Sequence, residues 1–98
     1  MSKKNKNQEI ESVRLLIDKL DNKMIPLMIK RSKLVEKALS LKSKKSEIVD
    51  WKRINQILKR IESKTIKMKA DPKLLKSIWM SMISNFIEYE KKEFKKNK

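Results

Sequence analysis

The sequence predicts an all-α protein, and three observations support that fold class. The 98 residues include no glycine and only two prolines, so the chain lacks the residues that tight β-hairpins use at their turns. Apolar residues recur every three or four positions along most of the chain, which is the period of an amphipathic helix. A chain of this length has room for one domain with a single modest core. We therefore expect three helices of unequal length.

The first predicted helix is the longest. Its apolar residues keep a three-four spacing from Ile10 to Leu41, the pattern of a helix packed on other helices. A helix over residues 10–42 would extend about 50 Å, which is too long for a compact monomer of this size. This length predicts an intertwined homodimer. Pro26 removes a backbone donor, but the spacing keeps its phase there, which favours one bent helix over two helices meeting near Asp21.

Two shorter helices are predicted to follow. Residues 43–47 contain no apolar side chain and predict a loop. Asp50 then has the position of an N-cap for the second helix, and the apolar pattern of that helix is lost over residues 64–70. Asp71 and Pro72 predict the start of the third helix, because a capping carboxylate followed by proline is a favoured first turn.

The domain prediction is a single helical domain over residues 9–93. Basic tails over 1–8 and 94–98 flank it, and we expect the N-terminal tail to be disordered. The sequence shows neither a signal peptide nor an apolar run long enough to span a membrane, which predicts a cytoplasmic protein.

The composition excludes several classes of chemistry. Without histidine or cysteine the chain has no zinc site, thiol nucleophile or disulfide. Without glycine it has no phosphate-binding glycine loop. We therefore expect no metal and no cofactor. The remaining groups are cations, carboxylates and hydroxyls, and 27 Lys and Arg against 12 Asp and Glu give a net charge of +15.

Charged residues occupy positions where the apolar pattern expects hydrophobic ones. Arg31 lies on the apolar stripe of the first helix, and Glu90 continues that of the third. Arg14 and Lys42 flank the first stripe. Buried charges are costly unless they are paired. These four groups carry an excess of positive charge, which predicts an anionic ligand.

Arginine is rare in this lysine-rich chain, with four among the 27 basic residues. Its planar fork binds a carboxylate through two hydrogen bonds, whereas lysine offers only a point charge. A single arginine on an apolar stripe is more often a residue that sets register or extends to solvent. If two long helices crossed antiparallel near residue 22, Arg14 of one would lie opposite Arg31 of the other, giving two sites per dimer.

Several segments resemble the all-helical, type II chorismate mutases, whose fold the isochorismate pyruvate lyases share. The resemblance covers about residues 10–93 and rests on five parts of the sequence. These are Val13–Asp21, Lys30–Val35, Leu41–Lys42, Asp50 with Arg53, and residues 83–90. It implies an intertwined dimer that converts chorismate to prephenate on the route to phenylalanine and tyrosine.

The resemblance also implies roles for individual residues. Arg14 of the partner chain, together with Arg31, would hold the carboxylates of chorismate. Lys42 and the side chain at position 90 would donate hydrogen bonds to the ether oxygen of the breaking bond. Arg53 would assist at a carboxylate, and Asp50 would meet the ring hydroxyl. A unimolecular pericyclic rearrangement needs no nucleophile, metal or cofactor, which agrees with the composition.

Three substrate-binding positions depart from the usual mutase pattern. Ile54 replaces a glutamate of many mutases and Phe86 replaces a serine, and both changes resemble the lyases. Glu90 stands where bacterial enzymes commonly have glutamine and fungal mutases have glutamate. A glutamate donates to an ether oxygen only when it is protonated, so we expect activity to fall as pH rises through the titration of Glu90.

Other readings of the sequence stay open. Asp50 resembles the mutases, which favours mutase over isochorismate pyruvate lyase, an enzyme that yields salicylate and pyruvate. The net charge also fits a nucleic-acid-binding module. The lysines are spread around the predicted helices, however, so we expect neither a nucleic-acid nor a membrane partner. A helical interaction protein without catalytic activity is a further alternative, but it explains neither Arg31 nor the scarcity of arginine.

Overall fold

The computed structural model describes residues 5–96. Within them the chain forms three α-helices and one 3₁₀ turn, and it forms no strand, so the predicted all-α class is confirmed. The helices are α1 (Lys6–Ser40), α2 (Trp51–Lys67) and α3 (Pro72–Lys96), and the 3₁₀ turn is Lys45–Glu47.

Helix α1 begins at a reciprocal cap. The Asn5 side chain accepts a hydrogen bond from the Gln8 backbone N–H at 2.8 Å, and the Gln8 side chain accepts one from the Asn5 N–H at 3.1 Å. The helix therefore starts inside the segment predicted as a tail. It continues through Pro26, which confirms one helix rather than two.

Helices α2 and α3 begin where the sequence predicts. Asp50 caps α2 by accepting from the Arg53 backbone N–H at 3.1 Å. Asp71 accepts from the Lys73 N–H at 2.9 Å, and Pro72 is the first residue of α3. Helix α3 extends to Lys96 and so includes part of the predicted C-terminal tail. The remaining residues of the two predicted tails, 1–4 and 97–98, lie outside the described residues.

Helix α2 continues to Lys67, into the segment 64–70 where the apolar pattern predicts that the helix is lost. Lys69 then adopts the left-handed conformation, with φ of 58°. Its N–H donates to the Ile66 carbonyl, and the Ala70 N–H donates to the Thr65 carbonyl. These two bonds form a Schellman motif, a helix ending that usually places glycine in the left-handed position. This chain has no glycine, so lysine adopts that conformation at an energetic cost.

The chain divides into two compact units, one ending at Leu34 and the other beginning at Val35. The second unit contains the hydrophobic core, which α2 and α3 form together. Burying each isoleucine side chain of this core contributes about 1.5–3 kcal/mol. The buried cluster consists of Ile54, Ile57, Ile61 and Ile83.

The first unit has no buried residue among those described. The apolar side of α1 is open, and Leu20 and Leu27 on its predicted stripe are 59% and 63% exposed. Exposed apolar residues at helical spacing are typical of interaction surfaces, and the homodimer stays a prediction.

Candidate active site

The end of α1 and the C-terminal half of α3 bring Lys42 and Glu90 together in the second unit. Lys42 lies two residues beyond α1, and its backbone N–H donates to the Leu39 carbonyl at 3.0 Å. Lys42 Nζ lies 3.9 Å from Glu90 Oε2, and the two side chains are 22% and 10% exposed. The distance is that of an ion pair rather than a direct hydrogen bond. A largely buried cation and carboxylate therefore face each other.

The loop after Lys42 is organised by one carboxylate. Glu47 Oε1 accepts hydrogen bonds from the backbone N–H groups of Ser43, at 3.2 Å, and Lys44, at 2.9 Å. The Ser43 hydroxyl donates to the same oxygen at 3.1 Å. These bonds, first that from Lys44, lower the pKa of Glu47 because they favour its charged form. The predicted loop is thus an ordered turn directly after Lys42.

Asp50 and Arg53 lie at the start of α2 and are both exposed. The Asp50 carboxylate receives the Arg53 backbone N–H, so its role in the free protein is that of a helix cap. The roles of Asp50 at a ring hydroxyl and of Arg53 at a carboxylate stay predictions.

The two apolar residues that differ from the usual mutase pattern, Ile54 and Phe86, lie in different surroundings. Ile54 is 4% exposed and belongs to the core cluster between α2 and α3. Phe86 is half-buried and lies one turn before Glu90 on α3. Their assignment as substrate-binding residues also stays a prediction.

Arg14 and Arg31 belong to the first unit. Arg14 is exposed and forms an ion pair with Glu11 on its own helix at 2.7 Å. Arg31 is half-buried, and its Nη1 atom is shielded from solvent. Burial of a guanidinium nitrogen fits the position of Arg31 on the apolar stripe.

Two polar contacts near Lys42 and Glu90 were not foreseen from the sequence. One is the Glu47 cluster described above. The other joins Tyr89 Oη to Glu36 Oε1 at 2.6 Å, across 53 residues of sequence. Serine and glutamate three or four residues apart signal local caps in general, but no sequence pattern indicates that Glu36 and Tyr89 meet.

Two further findings concern the ligands and the setting of the protein. Residues 5–96 contain no cluster of three or more carboxylate, histidine or cysteine side chains that could bind a metal ion. None of the helices in that range has the length and hydrophobicity of a membrane span.

The fold and the candidate site define a class: an all-helical protein in which a largely buried lysine and glutamate, Lys42 and Glu90, lie 3.9 Å apart. Comparison with known families then identifies the chain more closely. The model of the family described as chorismate mutase type II matches residues 13–91, and the chain belongs to that family. The predicted resemblance is confirmed. No curated protein and no solved structure matches the chain.

Proposed function

We propose that this protein is a chorismate mutase that rearranges chorismate to prephenate by electrostatic catalysis. One observation carries the proposal: in a chain of the chorismate mutase type II family, Lys42 and Glu90 are largely buried and lie 3.9 Å apart. A lysine and a protonated glutamate held together where two helices meet can both donate hydrogen bonds to one oxygen atom of a bound ligand. The family supplies chorismate as the ligand.

The chemistry needs two kinds of interaction. The enzyme must hold a dianion in its reactive folded conformation, and it must stabilise the negative charge that grows on the ether oxygen. Lys42 donates a charged hydrogen bond to that oxygen, and protonated Glu90 donates a second. Donors fixed in place before the reaction are effective because little reorganisation is needed as the charge develops.

The substrate carboxylates need cationic partners, which we assign to Arg14, Arg31 and Arg53. A second copy of the chain supplies Arg14 in this proposal. The open apolar side of α1 supports a dimer, because Leu20 and Leu27 are more than half exposed in a single chain. An antiparallel crossing of two α1 helices near residue 22 pairs Arg14 of each chain with Arg31 of the other.

Isochorismate pyruvate lyase is the second candidate. The apolar side chains at Ile54 and Phe86 favour it, since the family resemblance implies apolar residues at these positions in the lyases. Both reactions are pericyclic, and both need cationic side chains that hold the carboxylates of the substrate. The two activities are therefore compared directly in one experiment.

The experiment measures kcat/KM of the purified protein on chorismate and on isochorismate side by side. We expect rearrangement of chorismate to be the faster reaction. Lys42→Met removes one charged donor and lowers kcat/KM by about 100-fold or more. Lys76→Met is the matched control, because Lys76 pairs with Glu62 on the α2–α3 surface at 2.8 Å, and it should leave kcat/KM unchanged. Faster turnover of isochorismate would establish the lyase instead, and no turnover of either substrate would refute both.

The shared site is tested by mixing two inactive variants. If each site combines Arg14 of one chain with Arg31 of the other, a dimer of one Arg14→Ala chain and one Arg31→Ala chain retains one intact site. An equal mixture, refolded together, then recovers about a quarter of wild-type activity. A site built from one chain recovers none, so an inactive mixture contradicts the shared site.

A further inference from the structure

Helix α3 is tied to the end of α1 by a polar contact next to the candidate active site. Tyr89 Oη donates a hydrogen bond to Glu36 Oε1 at 2.6 Å. Glu36 lies six residues before Lys42, and Tyr89 directly precedes Glu90 in α3. The Glu36–Tyr89 bond and the Lys42–Glu90 ion pair therefore join the same two parts of the second unit.

The end of α1 lies outside the core cluster between α2 and α3. The core cluster takes its residues from α2 and α3 and includes none from α1. Leu39 is the buried residue of α1. Unlike the hydrophobic effect, a hydrogen bond is directional. The bond at 2.6 Å joins two exposed side chains and restrains the rotation and sliding of α3 against the end of α1.

The donor of this hydrogen bond is protonated in the pH range of an enzyme assay. Its acceptor Glu36, with burial and the charge of Glu93 as smaller contributors, raises the pKa of Tyr89 to about 12. The phenol therefore keeps its proton well above neutral pH.

We propose that Glu36 and Tyr89 are a positioning pair, which sets α3 against the end of α1 so that Lys42 and Glu90 face the same ligand atom. This inference rests on the proposed function for its kinetic consequence. Its structural consequence, the placement of Lys42 relative to Glu90, does not depend on which reaction the protein catalyses.

The kinetic test uses Tyr89→Phe, which removes the donor, and Glu36→Ala, which removes the acceptor, singly and together. We expect each single variant to lower kcat by about tenfold with little change in KM, since misplaced catalytic groups cost transition-state stabilisation rather than binding. The double variant should be no slower than either single one, because both remove the same interaction. Glu62→Ala is the matched control: it removes the 2.8 Å pair with Lys76 that links α2 to α3 and should leave kcat unchanged.

The structural test reads side-chain NMR signals and needs no substrate. Tyr89→Phe is read at the Lys42 methylene next to Nζ, and Glu36→Ala is read at the Glu90 carboxyl carbon, so each probe is remote in sequence from the change. We expect both signals to move, and neither to move in Glu62→Ala. Unmoved signals, or a kcat loss that adds in the double variant, would overturn the positioning pair. A wild type that turns over neither substrate refutes the proposed function, and the NMR result then decides the positioning pair by itself.

Discussion

Replacing Glu90 by glutamine tests the proposed mechanism most directly. The two side chains have the same shape, but glutamate donates a hydrogen bond only when it is protonated, whereas glutamine donates one at every pH. Lys42 Nζ lies 3.9 Å from Glu90 Oε2. At that distance the attraction between unit charges is about 4 kcal/mol for an effective dielectric constant of about 20. The ionised form of Glu90 cannot donate to an ether oxygen. Activity that requires the protonated form must decline as pH rises.

The expected pH profiles follow from this single ionisation. On the alkaline side of the Glu90 titration, kcat of the wild type should fall about tenfold per pH unit. Glutamine donates at every pH, so the profile of Glu90→Gln should be flat over the same range. Removing one partner of this largely buried pair leaves the Lys42 charge uncompensated, so we expect the variant to lose about 3 kcal/mol of unfolding free energy.

The assay follows the disappearance of chorismate at saturating concentration in buffers of constant ionic strength. Glu62→Gln serves as the control, since Glu62 also pairs with a lysine but is 45% exposed at the α2–α3 surface. Its profile should match that of the wild type. A flat wild-type profile, or a Glu90→Gln profile that still falls, would refute the donor role of Glu90.

Three further substitutions give expected outcomes. Lys69→Gly places glycine at the left-handed residue after α2, where φ is 58°, and should stabilise the protein by about 1 kcal/mol in urea unfolding. A lower urea midpoint than that of the wild type would contradict the energetic cost assigned to Lys69. Ile83→Ala leaves a cavity in the core, where Ile83 is 6% exposed, so calorimetry should show that the free energy of unfolding falls by about 3 kcal/mol. The control is Leu74→Ala, at an exposed position. A smaller loss for Ile83→Ala than for Leu74→Ala would argue against the core. Arg31→Lys keeps the charge but loses the planar guanidinium that can make two hydrogen bonds to one carboxylate, and kcat/KM should drop at least about tenfold. Unchanged kinetics would show that Arg31 does not bind a substrate carboxylate.

The helix starts could be predicted because their signals are local. Asp50 and the Asp71–Pro72 pair cap their helices within three residues of chain, and the structure uses both. The end of α2 could not be predicted in this way. A Schellman ending is normally visible as glycine, and here Lys69 adopts the left-handed conformation in a sequence that offers no glycine.

The candidate site was predictable only in part. The apolar stripe of α3 placed Glu90 inside, and Glu90 is 8% exposed. Its distance from Lys42 depends on how α3 meets α1, which the contact between Glu36 and Tyr89 helps to set across 53 residues. Contacts between residues so far apart depend on tertiary packing, and the spacing of apolar residues along one helix carries no information about them.

The open side of α1 has a consequence for handling the protein. A chain whose longest helix leaves leucines more than half exposed gains its missing burial from a second molecule in our proposal, and such association obeys mass action. The melting temperature should then rise with protein concentration, and highly dilute samples should lose structure and turnover together. Stabilities of variants are therefore comparable only when they are measured at equal chain concentration.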